Sequence, residues 1–201
     1  MLYEELRKVS PPLASFLREV APDLGPTDVD IRKPGGIPYS RRFVGRCYMF
    51  SYRNPQGKGT RSLPYYHIFP MVINLEQRVD TMLGLNPFYL PPEQRTDLVE
   101  NLIGRLDNDI ENEDARSKIT YKMIAKYRRS MRDAFPCIKQ YKHTRMSSIV
   151  IEMKPSLWRE FYLGDISKKF EAFFMGASPR TVWANSERRS KEQGRDRRKK
   201  Q

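Results

Sequence analysis

An α+β architecture is what this sequence predicts: a small antiparallel β-barrel, SH3-like or of similar kind, flanked by helices and followed by a disordered basic C-terminal tail. Three observations carry it. The stretch from Arg46 to Pro92 alternates and turns as a set of short strands would, and the segments on either side repeat their apolar residues at helical spacing. The last residues hold charge with almost nothing to bury. The chain accordingly divides into N-terminal helices and a linker (1–40), one α+β domain (41–178) with its strand-rich core at 46–92, and a basic tail (179–201).

Leu2, Leu6 and Val9, then Leu13, Phe16, Leu17 and Val20, keep helical spacing on both sides of Pro11-Pro12, as two short helices meeting at a proline bend would. Gly25-Pro26-Thr27 and Lys33-Pro34-Gly35-Gly36-Ile37-Pro38 read as a connector too rich in breakers for regular structure. Tyr48, Phe50 and Tyr52 then fall at every second position, which puts their rings on one face of a strand and Cys47, Met49 and Ser51 on the other. The turn-forming run from Asn54 to Gly59 and the apolar run from Ile68 to Leu75 complete a hairpin with a long basic tip. Met82-Leu83-Gly84-Leu85 adds a further strand, and proline-fixed corners favour a small barrel over a layered parallel sheet.

Beyond Pro91-Pro92, Glu93 and Asp97 open a helix carrying Leu98, Leu102 and Leu106. A longer helix is expected over about Asp114 to Phe135, with Ile124, Tyr127, Met131 and Ala134 on its packing face and Lys118, Lys122, Lys126 and Arg129 on a second; Pro136 stops it. Ser147 to Lys154 reads as a strand through its β-branched run. Leu157, Trp158, Phe161 and Tyr162 form a short helix ended by Gly164, and Asp165 caps another carrying Ile166, Phe170, Phe173 and Phe174.

The net charge of +13 is not spread evenly. From Arg116 to Arg145 ten basic residues stand against Asp133 alone, and from Asn185 to Gln201 eight stand against three acids, so these two segments hold all of the excess. A localised excess of this kind points to a polyanion or an acidic partner. The residues placed in such a contact are Lys118, Lys122, Lys126, Arg128, Arg129 and Arg132 on the helix and Arg197, Arg198, Lys199 and Lys200 in the tail. Hydrophobic residues at 39% and charged residues at 30% fit a globular protein. No apolar run approaches the roughly 18 residues of a membrane span, and Cys47 and Cys137 lack CxxC spacing, so a soluble protein made in a reducing compartment is expected.

Catalytic signals are few. Val150-Ile151-Glu152-Met153-Lys154 matches the way metal-dependent nucleases of the restriction-enzyme-like fold place a metal-binding carboxylate (Glu152) beside a catalytic lysine (Lys154), but a second carboxylate is needed and Asp133, the nearest upstream, falls on a helix. The acidic run Asp107, Asp109, Glu111, Glu113, Asp114 lacks the glycine and terminal glutamate of a calcium loop and reads as solvated chain. His67 and His143 have no zinc-ligand spacing around them, and no nucleotide-binding loop or nucleophile elbow appears. Arg46 to Tyr52 echoes an RNA-recognition signature without its glycines, so core packing is the expected role of those rings rather than base stacking. No cofactor and no metal is therefore expected.

The succession Tyr48-Met49-Phe50-Ser51-Tyr52, Leu63-Pro64-Tyr65-Tyr66, Phe69-Pro70, Gly84-Leu85-Asn86 and Tyr89-Leu90-Pro91-Pro92 resembles a family of small proteins encoded by contractile-tailed bacteriophages and their marine relatives. The resemblance implies a phage structural protein, in some members with a role at DNA ends or in packaging, and carries no catalytic residues with it. The expected function is a non-enzymatic virion component that binds DNA or an acidic assembly surface, in the host cytoplasm during assembly and then in the particle, among other virion proteins and away from membranes. A purely architectural tail, neck or baseplate subunit and a metal-dependent nuclease are the alternatives.

Overall fold

In the computed structural model, which describes residues 2–32, 45–53, 66–106, 137–146, 149–185 and 188, six strands form one antiparallel sheet against which the helices pack. Helices α1 (Leu2–Val9) and α2 (Pro11–Val20) come first, and Pro11 and Pro12 sit in the first turn of α2, where a missing N–H costs nothing. Their apolar stripes bury Leu2, Leu6, Leu13, Phe16, Leu17 and Val20. Strands β1 (Val29–Arg32), β2 (Cys47–Met49), β4 (Met71–Gln77), β5 (Thr81–Leu85), β6 (Ile138–Lys142) and β7 (Val150–Met153) make the sheet in the order β1-β7-β2-β4-β5-β6. Strands β3 (Tyr66–His67) and β8 (Phe174–Met175) pair separately. Helix α3 (Pro92–Leu106) follows β5, while α4 (Trp158–Leu163) and α5 (Asp165–Glu171) follow β7.

Both faces of the sheet are buried, and the alternation along β2 sorts them. Cys47 and Met49 point with Met71, Ile73, Leu75, Ile151 and Met153 into the main core, which the helices complete through Leu17, Leu102, Trp158, Phe161 and Phe170. Tyr48 and Phe50 point the other way, into a second cluster with Val72, Met82, Tyr141, Met146 and Val150, and the half-buried Tyr52 leans on it. The rings are core, as their spacing predicts: Phe50 meets Tyr141 edge to face at 5.3 Å. Gly84 permits close packing at this cluster, because a Cβ there would lie 3.0 Å from the side chain of Val72 and 3.2 Å from that of Tyr141.

The expected barrel is corrected to an open sheet. The two edges, β1 and β6, do not pair with each other. The line of β2 and the line of β6 approach through one bridge, Tyr52 to Met146, and one backbone bond from Arg53 N–H to Arg145 O at 3.0 Å. One bridge does not close a sheet, and the Lys-rich strand β6 leaves a charged edge of the kind that resists further pairing.

Three further differences concern single elements. Val29–Arg32, inside the stretch read as a connector, is the edge strand beside β7, in the register Val29 to Met153. Ile138–Lys142, where no strand is predicted, is the opposite edge. Helix α5 ends at Glu171, so Phe174 belongs to β8 rather than to the helix, and Gly164 rather than Asp165 stands at the cap position. At the far end, residues 179–185 are helical; Ser178 Oγ accepts from Thr181 N–H, Val182 is buried and the Trp183 indole donates to Phe88 O at 2.9 Å.

Three buried polar arrangements tie the helices to one another and to the strands. Arg95 of α3, almost fully buried, pairs with Glu171 of α5 and lies over the Phe88 ring at 5.0 Å. His67 sits among Phe88, Phe170 and Phe174 with Nε2 donating to Phe170 O at 2.6 Å, and burial lowers its pKa to about 4. Tyr162 donates to Met71 O at 3.1 Å and accepts from the Cys47 thiol at 3.3 Å. Burial pushes that thiol up to about 12.

Candidate nucleic-acid interface

The ten cations singled out in the sequence, Lys118, Lys122, Lys126, Arg128, Arg129, Arg132, Arg197, Arg198, Lys199 and Lys200, lie outside the described residues, as does the acidic run 107–114. The described part of the same basic segment is β6 and the turn after it. Strand β6 alternates as an edge strand should, with Tyr141 turned into the second cluster and Gln140 and Lys142 exposed. Lys139 lies over the Tyr89 ring at 4.4 Å. A 3-10 turn, His143–Arg145, then swings the chain back so that Met146 meets Tyr52.

This turn gathers cations from distant parts of the sequence. Arg53, on the extension of β2, is held beside Arg145 by the 3.0 Å backbone bond, and the Lys142 N–H points at the Tyr52 hydroxyl at 3.4 Å. Tyr52 is fixed edge to face against Tyr141 at 5.2 Å, so the backbone that carries Arg53 is anchored in the second cluster. Among the described residues, Arg53, Lys142 and Arg145 make no ion pair. Five other described arginines are ion-paired: Arg18 to Glu4, Arg46 to Glu152, Arg78 to Glu76, Arg95 to Glu171 and Arg159 to Glu100.

The β4–β5 hairpin abuts the same turn. His143 N–H donates to Asp80 O at 3.0 Å, its Nδ1 donates to Val79 O at 3.1 Å, and its Nε2 accepts from the Gln77 amide at 2.8 Å. His143 is thus a clamp between hairpin and edge strand. Sequence reading passed over this arrangement, although Lys142 and Arg145 fall in the basic segment. Arg53 could be joined to them only by knowing that Tyr52 bridges Met146.

The residues with a nuclease-like spacing stand elsewhere. Glu152 lies in β7 opposite Asp30 and Tyr48, and its Oε1 is 2.6 Å from Arg46 Nη1, both side chains being largely buried. A carboxylate held by a guanidinium has its negative charge already compensated, so a divalent cation would have to displace Arg46 to use it. Lys154 is exposed just beyond the strand, and its backbone N–H donates to Asp28 O at 3.4 Å. Among the described residues no group of three or more His, Cys, Asp or Glu side chains converges as a metal centre requires. No described helix is long and apolar enough to cross a membrane.

Comparison with curated proteins and with solved structures returns no match. A family model does match, over residues 36–186, about three-quarters of the chain, from just before β2 to the helical residues that hold Trp183. Its span takes in five of the six strands of the main sheet together with the Arg53, Lys142 and Arg145 edge. By that match the chain belongs to the family of the phage T4 terminal DNA protecting protein.

Proposed function

We propose that this protein binds the ends of linear phage DNA and shields them without catalysis. The observation that carries the proposal is the set of cations Arg53, Lys142 and Arg145, which make no ion pair among the described residues and stand on a braced sheet edge within the span that matches a terminal DNA protecting family. Cations without acidic partners are available to phosphate oxygens, and each phosphate they neutralise releases counterions. The strongly basic stretch 116–136 immediately precedes β6 in the sequence, and its Lys118, Lys122, Lys126, Arg128, Arg129 and Arg132 are proposed as further phosphate contacts on the strength of their charge. The tail residues Arg197, Arg198, Lys199 and Lys200 add a second, chain-like contact to the duplex. The rigid double core serves to hold the edge in shape, and the protein acts in the host during assembly and then in the particle.

The test is protection. A blunt linear duplex incubated with the protein should resist an exonuclease that enters at double-stranded ends, and the resistance should fade as salt rises. Digestion at the unprotected rate, with protein present at concentrations that saturate any DNA binding, would refute the proposal. Absence of DNA affinity at low salt would instead assign the cations to an acidic protein surface in the particle.

A further inference from the structure

End protection demands something that positive charge cannot provide. Phosphates recur along the whole duplex, so a surface that reads only phosphates binds internal sites as well as termini, and internal sites are far more numerous. What a terminus alone offers is the flat, apolar face of its last base pair, covered everywhere else by the next pair. A protein that prefers ends on this basis needs an apolar group presented to solvent, beside cations that hold the flanking strands.

Val79 meets this description. It stands at the tip of the β4–β5 hairpin and is 78% exposed, more than the other large exposed hydrophobics Val9, Ile31 and Met175. A β-branched residue is a poor choice for a hairpin tip, where glycine, asparagine and aspartate are favoured. The tip is also braced. Arg78 N–H donates to Thr81 O at 2.8 Å, and His143 grips the Val79 and Asp80 carbonyls at 3.1 and 3.0 Å. The same His143 lies between Lys142 and Arg145, so the apolar knob and these cations share one rigid support. Arg78, beside Val79, is bound to Glu76 and is turned to the hairpin's own stability.

From this geometry we infer that Val79 is the end-reading contact, packing on the exposed face of the terminal base pair while Lys142, Arg145 and Arg53 take the phosphates next to it. The inference rests on the proposed DNA-end function and names the element that distinguishes an end from the middle of a duplex. Apolar side chains laid against base faces are an established means of gripping DNA at a step that has lost its stacking partner.

The experiment is a competition between a blunt linear duplex and a covalently closed dumbbell of the same sequence, whose terminal pairs are covered by loops, using the full chain and its Val79→Asp and Val79→Leu variants. Because Val79 is exposed, both variants should fold, which their melting temperatures would verify. The parent and Val79→Leu should prefer the blunt duplex. Val79→Asp should lose roughly tenfold of that preference, the effect of one desolvated valine contact, while keeping its affinity for the dumbbell within a small factor. An undiminished preference in Val79→Asp would overturn the inference and leave the DNA-end function standing. A parent that binds neither DNA, or both equally, would overturn the function and the inference with it.

Discussion

Neutralising the sheet edge with Arg53→Gln, Lys142→Gln and Arg145→Gln together should change the salt dependence of DNA binding by an amount that follows from the structure. These three cations lack acid partners among the described residues, so each can take a phosphate, whereas Arg159 is bound to Glu100 through two hydrogen bonds of 3.0 and 2.6 Å. Each phosphate neutralised on duplex DNA contributes about 0.9 to the slope of log affinity against log salt, so three lost contacts should flatten it by about 2.7. At about 0.15 M salt the same loss amounts to roughly a hundredfold in affinity. Fluorescence anisotropy of a labelled duplex, titrated at four or five salt concentrations, reads both quantities. Arg159→Gln serves as the control, with an unchanged slope. If the triple variant kept the parental slope, the edge would not be contacting phosphates, whatever the affinity of the rest of the chain.

Other consequences concern stability and chemistry. The buried His67 has its pKa lowered from 6.5 to about 4, so the folded protein resists a proton that the unfolded chain accepts. Stability should be full above pH 6.5 and fall toward pH 4, at up to about 1.4 kcal/mol per pH unit, and His67→Gln should flatten that part of a denaturant-midpoint profile. Gly84→Ala, which brings a methyl against Val72 and Tyr141, should cost about 1–2 kcal/mol and lower the melting temperature by several degrees; an unchanged melting temperature would mean that the sheet relaxes there freely. Cys47, with its thiol pushed up to about 12, should resist iodoacetamide at pH 8 in the native protein and react once urea unfolds it, as peptide mass spectrometry would record. Arg46→Met should destabilise the fold by about 3 kcal/mol because it strands a largely buried carboxylate, and Arg46→Met with Glu152→Met should recover most of that loss.

What could be read locally in the sequence survived, and what depends on distant partners did not. The alternation of Tyr48, Phe50 and Tyr52 against Cys47 and Met49 sorts those residues to two faces from the sequence alone, because a strand's period of two is a property of its own backbone. The helical stripes of α1, α2 and α3 were legible for the same reason. Strand β6 was not, since an edge strand needs few apolar residues and Ile138 and Tyr141 are the two it has. Strand β1 was hidden between breakers, and only its pairing with β7 makes it a strand. Barrel and open sheet share one local pattern and differ in which edges meet. Glu152 reads locally as a metal-binding carboxylate beside Lys154, whereas its pairing with Arg46, 106 residues away, is visible only in the fold. At the candidate interface, Lys142 and Arg145 could be counted in advance, but the bridge that adds Arg53 and the clamp that presents Val79 are products of the fold.

The most direct test of end binding is to count bound molecules as duplex length is varied. With blunt linear fragments of increasing length at a fixed near-physiological salt, the account predicts the same small number per DNA, set by its two ends, and little retention on closed circles. Occupancy that grew in proportion to length, with circles bound as well as linear fragments, would contradict it.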